Sequence, residues 1–291
     1  MVYSPHPRFI GPLLLLSLLL PSGCAQHEET SSRLETTRAA LSISVPSDAA
    51  TIQAAIDSAN TGDSVVIAAG AFAEDLTINK PLTLIGSGDE TVIYGSIIVA
   101  NNAEVNLKNL LVDGTLSSGT VSCISLDSGA LTMTNVTTRG GDIGLDILTS
   151  GSGDEDQALL NGCRFTAAAT AGVRLSAGST AGLQVFNSIF AYNGGDGLLL
   201  EPMTGDASTT LAHTLFFANG YGMLDGAAIW SAGGDFNSRN NIITSNNHGV
   251  ACLNACSGAH NLVWGNLINF DAAASAGPGH IHKDPRFVAA S

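Results

Sequence analysis

Short runs in which apolar and polar residues alternate, such as residues 105–108, 131–134 and 183–186, recur along most of the chain and predict half-buried β-strands. A polar residue follows these runs at a fixed interval. Asn109, Asn135, Asn161, Asn187 and His213 are each 26 residues apart, and the register continues at Asn240 and His260 after steps of 27 and 20. A second column stands six places later at Asn193, Asn219, Asn246 and Asn266, and a glycine then opens the next apolar strand at Gly144, Gly172, Gly197, Gly222 and Gly249. One coil that cannot bury its own apolar face must stack on its neighbours, ~4.8 Å apart as in any sheet. The period therefore predicts an all-β solenoid, a parallel β-helix. Within it, the column Asn109, Asn135, Asn161, Asn187, His213, Asn240 and His260 is expected to point inward as an asparagine ladder, bonding to its equivalents above and below and satisfying buried backbone groups.

One segment has a different period. Residues 51–59 (TIQAAIDSA) place Ile52, Ala55, Ile56 and Ala59 on one helical face before the turn Asn60–Asp63. This helix is expected to cap the first coil, whose open strand edges would otherwise pair with other chains. With the text VPSDAATIQAAIDSANTGDSVVIAAGAFAEDLTINKPLTLIGSG at 45–88 and the Asn-bearing coils after it, the chain resembles the secreted right-handed β-helix proteins of the pectin-lyase-like superfamily. The resemblance implies a right-handed β-helix domain over 45–291; its motifs specify fold and not chemistry. Asp284, Pro285, Phe287 and Val288 also match a segment that in these proteins is usually followed by further residues, so the domain is expected to be truncated at its C-terminus.

The N-terminus has the pattern of an address. Arg8 precedes an apolar run, Leu13–Leu20, too short for the ~20 residues of a membrane span and suited to a signal peptide over 1–24. Leu20, Pro21, Ser22, Gly23 and Cys24 resemble a bacterial lipobox, although Pro21 stands where an aliphatic residue is preferred. This implies diacylation of Cys24 and an outer-membrane or cell-surface lipoprotein, with plain secretion as the alternative. Residues 25–44 are polar and aperiodic, as in a flexible tether.

Composition narrows the partners. Hydrophobic residues make up 45% of the chain and charged ones 12%, enough to build a core, and the net charge is −14. A nucleic-acid partner is excluded by the lack of clustered Lys and Arg. The acidic total is compatible with calcium, but no dense Asp motif localises it, so no cofactor is assigned. His248, His260, His280 and His282 have no accompanying Cys or carboxylate at metal-site spacing. In an exported chain Cys252 and Cys256 are expected to form a short-loop disulfide, and Cys123 and Cys163 to remain buried thiols.

Chemistry is sought on the sheet whose strands follow the opening glycines. Their alignment gives the outward row Ser125, Asp146, Arg174, Leu199, Leu224 and Ala251, with Glu201 two places beyond Leu199. Asp146 and Arg174 on adjacent coils should form an exposed ion pair, or else Arg174 should offer its planar fork to a carboxylated sugar. Glycoside hydrolysis needs two carboxyl groups across one bond, and Asp146 has no carboxylate partner in its row. Ser125, Asp146, Arg174 and Glu201 are therefore candidate ligand-binding residues, and no catalytic residue is assigned. The expectation is a surface-anchored β-helix that binds carbohydrate or another cell-envelope component. The alternatives are a polysaccharide lyase or glycoside hydrolase acting on acidic glycans, and a structural spacer.

Overall fold

The computed structural model describes residues 39–116, 121–148, 157–176, 182–202, 208–232 and 235–286. The signal and lipobox segment with Cys24, most of the 25–44 tether, and Phe287 and Val288 lie outside the described residues. The first strand, Ser42–Val45, begins inside the stretch read as tether.

Among the described residues every strand pairing is parallel, and each joins one coil to the next, as a β-helix requires. One face is a nine-stranded sheet running in chain order from Leu76–Ile78 to Ile268–Ser275. The other two faces merge into a 16-stranded sheet, because the 11-residue strands Ala103–Asp113 and Gly129–Arg139 run across both. The core fills with one apolar residue from each inward position. At its centre Phe165, Phe190 and Phe216 stack with ring centroids 4.9 and 4.7 Å apart.

The cap is the helix Ile52–Ser58. Thr51 accepts from the Ala54 N–H, while the Glu74 carboxylate, a coil later, accepts from the Ile52 and Gln53 N–H groups, so the exposed helix start is satisfied twice. Ile52, Ala55 and Ile56 are buried.

The asparagine ladder exists, but in the other column. Asn193, Asn219 and Asn246 are buried, and their Nδ2 groups donate to the Oδ1 of Asn219, Asn246 and Asn266 at 2.8, 2.9 and 2.8 Å. The same Nδ2 groups donate to backbone carbonyls of Phe165, Phe190 and Phe216, so each rung also satisfies core backbone. A shorter ladder joins Asn241 to Asn261. The expected column is instead solvent-facing: Asn135, Asn161, Asn187, His213, Asn240 and His260 are exposed and Asn109 is half-buried. All but Asn161 adopt left-handed backbone with φ of 52–56°, which Asn and His tolerate better than most residues. Their 26-residue spacing records a corner that needs this conformation. Asn135 to Asn109 and Asn187 to Asn161 still bond side chain to side chain at 3.3 and 2.9 Å, in solvent.

Candidate functional site

The outer face of the nine-stranded sheet carries one residue per coil in the column Ser125, Asp146, Arg174, Leu199, Trp230, Ala251 and Asp271. This corrects the row at one place. Leu224 lies in a turn and is 94% exposed, whereas Trp230 pairs with Leu199. The step from Leu199 to Trp230 is 31 residues where that from Arg174 to Leu199 is 25, because a turn over 221–226 is inserted before the strand. Gly222 belongs to that turn and opens no strand. At the true opening positions a side chain would strike the core: a Cβ on Gly172 would stand 2.9 Å from Asn193 Nδ2, and one on Gly197 3.0 Å from the Phe216 ring.

The first half of the face is occupied by a closed ion-pair cluster. Arg174 donates to Asp146 through both Nε and Nη2, at 2.9 and 2.6 Å, and its Nη1 lies 3.9 Å from Glu201 Oε1. Asp146 is 4% exposed, so the pair is set into the surface and is not the open pair the row implied. The Asp146 hydrogen bond holds the Arg174 pKa above its ordinary value. Burial, and after it the Asp146 charge, raise the Asp127 carboxyl. Ser125 neighbours Asp146 through strand register. Because the Arg174 fork is already engaged by Asp146 and faces Glu201, a carboxylated sugar would meet more negative than positive charge here. The geometry therefore argues against that ligand.

The second half is open. A cavity of about 320 Å³ is lined by Asp196, Leu199, Met223, Leu224, Asp225 and Trp230. Its outer wall, the 221–226 turn, is pinned: the Gly222 N–H donates to Gly194 O at 2.7 Å, and Asn247 Nδ2 reaches the Met223 and Leu224 carbonyls at 3.3 and 3.0 Å. Met223 rests on Gly195, where a Cβ would come within 3.0 Å of its sulfur. On the inner wall the half-buried Asp196 accepts from the Ala227 N–H at 2.7 Å. Burial pushes its carboxyl up to about 7, against that hydrogen bond, so at mildly acidic pH it holds a proton and can donate. A larger hollow of about 490 Å³ on another face, by Gln157, Leu159 and Gln184, has, among the described residues, Glu104 as its one carboxylate and no aromatic ring in its walls.

Sequence reasoning missed Asp196, Met223 and Trp230, because only the inserted turn brings them together. Farther along, His248 Nδ1 lies 2.9 Å from Asp271 Oδ2, and Phe270 meets His280 and His282 edge to face. Among the described residues no group of three or more His, Cys, Asp or Glu gathers as a metal site. Cys252 and Cys256 are joined by a disulfide, while Cys123 and Cys163 are buried free thiols that burial pushes up to about 11.

No protein-family model and no curated protein sequence matches the chain. Among solved structures it is similar to the A-module of the mannuronan C-5 epimerase AlgE4 of Azotobacter vinelandii. That likeness has a TM-score of 0.52 and 18% identity over 79% of this chain and 75% of that one. Also similar are the AlgE6 A-module of the same organism (TM-score 0.39, 16% identity, 79% and 74% covered) and the Agl-KA catalytic domain (0.38, 12%, 82% and 67%). Together with the stacked parallel coils, the first likeness is one of fold alone: the chain is a parallel β-helix.

Proposed function

We propose that this chain is a carbohydrate-binding β-helix, exported and held at the cell surface through Cys24, and that it binds neutral glycan on the second half of the nine-stranded face. The observation that carries the reading is Trp230 beside Leu199 in the outward column, in the wall of a cavity that Asp196 and Asp225 also line. A pyranose ring has an apolar face that stacks on an aromatic ring and a rim of hydroxyls that carboxyl oxygens can accept from. The AlgE4 module is named for action on mannuronan, a polysaccharide, and supports the reading at the level of fold alone.

A second reading has a specific observation in its favour. Asp196 and Asp225 line one cavity, and burial raises the Asp196 carboxyl to about 7, so that it holds its proton at mildly acidic pH, as a general acid for glycoside cleavage would. One experiment separates the readings. The purified chain is titrated with neutral and acidic oligosaccharides, and the same mixtures are assayed for new reducing ends and for unsaturated products. Saturable binding of neutral sugars, lost at least tenfold in Trp230→Ala and without product, is the expected result. Product formation abolished by Asp196→Asn makes the chain a hydrolase or lyase, and binding of neither class leaves a structural spacer.

A further inference from the structure

The cavity walls are more selective than a general sugar platform requires. Leu199, Met223 and Leu224 give the cavity an apolar lining, yet two acidic residues, Asp196 and Asp225, also line it. A plain hydroxyl fits such a place poorly, since it can use one carboxyl but leaves the apolar wall against water. A purely apolar group would strip water from the carboxyls without replacing its hydrogen bonds. The occupant that answers both is small, with a methyl end and an amide beside it.

We infer that the cavity between Trp230 and the 221–226 turn is a subsite for the acetamido group of an N-acetylated hexosamine, with the sugar ring lying on the Trp230 indole. The inference rests on the glycan-binding reading above and names its substrate class. The methyl packs against Leu199, Met223 and Leu224. The amide carbonyl accepts from the protonated Asp196 carboxyl, and the amide N–H donates to the Asp225 carboxylate. Pre-organisation supports this division of roles. The wall is fixed by Gly222 and by the Asn247 side chain, and one Asp196 oxygen is held by the Ala227 N–H. A site with positioned hydrogen-bonding groups discriminates strongly against an analogue that lacks their partners. Other titratable or charged groups on the elements packed around Asp196 are Arg174 on the preceding strand, Glu201 just beyond its own strand, Tyr192 before it and Tyr221 in the turn. Arg174 is engaged by Asp146 and is not the partner of the Asp196 carboxyl, which can donate its proton to the amide carbonyl.

The test is calorimetric titration of the purified chain at pH 6 with a tetramer of N-acetylglucosamine and with the matching glucose tetramer, on the parent and on Leu224→Asp. Leu224 is 94% exposed, so this substitution adds a charge to the apolar wall without touching the core. The acetylated tetramer is expected to bind at least tenfold more tightly than the glucose tetramer, and Leu224→Asp to erase that preference while glucose-tetramer binding persists. Saturation-transfer NMR should show the acetyl methyl protons as the most strongly saturated. Equal affinity for the two tetramers, or a preference untouched by Leu224→Asp, overturns the acetamido subsite and leaves glycan binding standing. Failure of both tetramers to bind overturns the glycan reading itself.

Discussion

The two halves of the nine-stranded face are built on the same coils and differ in what their polar groups have left to give. In the first, Asp146, Arg174 and Glu201 satisfy one another, with both Arg174 bonds to Asp146 under 3 Å. In the second, Asp196 has a single backbone donor and shares a cavity with an indole and an exposed turn. Charge drew attention to the first half, yet a saturated ion pair offers a ligand little. The second half, whose column runs through the uncharged Leu199, Trp230 and Ala251 before Asp271, is where binding capacity remains. The halves share one support: the phenylalanine stack and the asparagine ladder lie under the opening of the Arg174 strand at Gly172 and under that of the Leu199 strand at Gly197.

That shared support predicts the largest effect. Asn219→Leu removes a rung that donates to Phe190 O and Asn246 Oδ1 and accepts from Asn193, leaving several buried groups unpaired at ~1–3 kcal/mol each. Loss on the order of 5 kcal/mol in chemical denaturation is expected, with glycan binding lost at temperatures where the parent still binds. Next, Arg174→Ala strands the buried Asp146 charge and should cost about 3 kcal/mol. Its glycan affinity, measured well below the lowered Tm, should stay within about twofold; a tenfold loss would move the binding strip to the first half.

Asp196 gives a smaller, pH-dependent effect. Its folded-state pKa is raised to about 7 from an ordinary carboxylate value, so its contribution to stability is complete below ~pH 4 and is lost as pH rises to about 7. Asp196→Asn cannot ionise. The Tm of the variant relative to the parent should therefore rise by about 5 °C between pH 4.5 and 7.5 in a thermal scan. A constant difference would mean that the carboxyl is ionised throughout. Smallest is Asn187→Ser on the solvent-facing column: it removes one exposed bond to Asn161 and should change stability by less than ~1 kcal/mol. A loss as large as that of Asn219→Leu would restore the structural rank of the outer column.

How far the chain was legible follows from these positions. A period of 26 residues reveals stacked coils whatever the side chains do, and the helical face Ile52, Ala55 and Ile56 reveals the cap. The Asn spacing alone could not say which column points inward. A left-handed corner and an inward rung both select Asn, and burial separates them: Asn219 is fully buried while Asn187 is exposed. The row was read correctly from Asp146 to Leu199, although the coils differ in length, because Gly144, Gly172 and Gly197 each stand two places before the outward residue of a true strand. It failed at Leu224 because an inserted turn opened by Gly222 imitates a strand start, and so Trp230 and Asp196 went unseen. Sites formed by an insertion into a repeat are hidden from any reading based on the repeat.

The binding strip can be watched directly, because the chain has two tryptophans and Trp264 lies on a different sheet from Trp230. With nitrogen-15 in both indoles, neutral glycan tetramers are titrated in and the two indole N–H resonances followed. The Trp230 signal, assigned by its disappearance in Trp230→Phe, should shift saturably while that of Trp264 stays in place. A Trp230 resonance that does not move at millimolar tetramer, or a saturable shift confined to Trp264, would contradict glycan binding on the second half of this face.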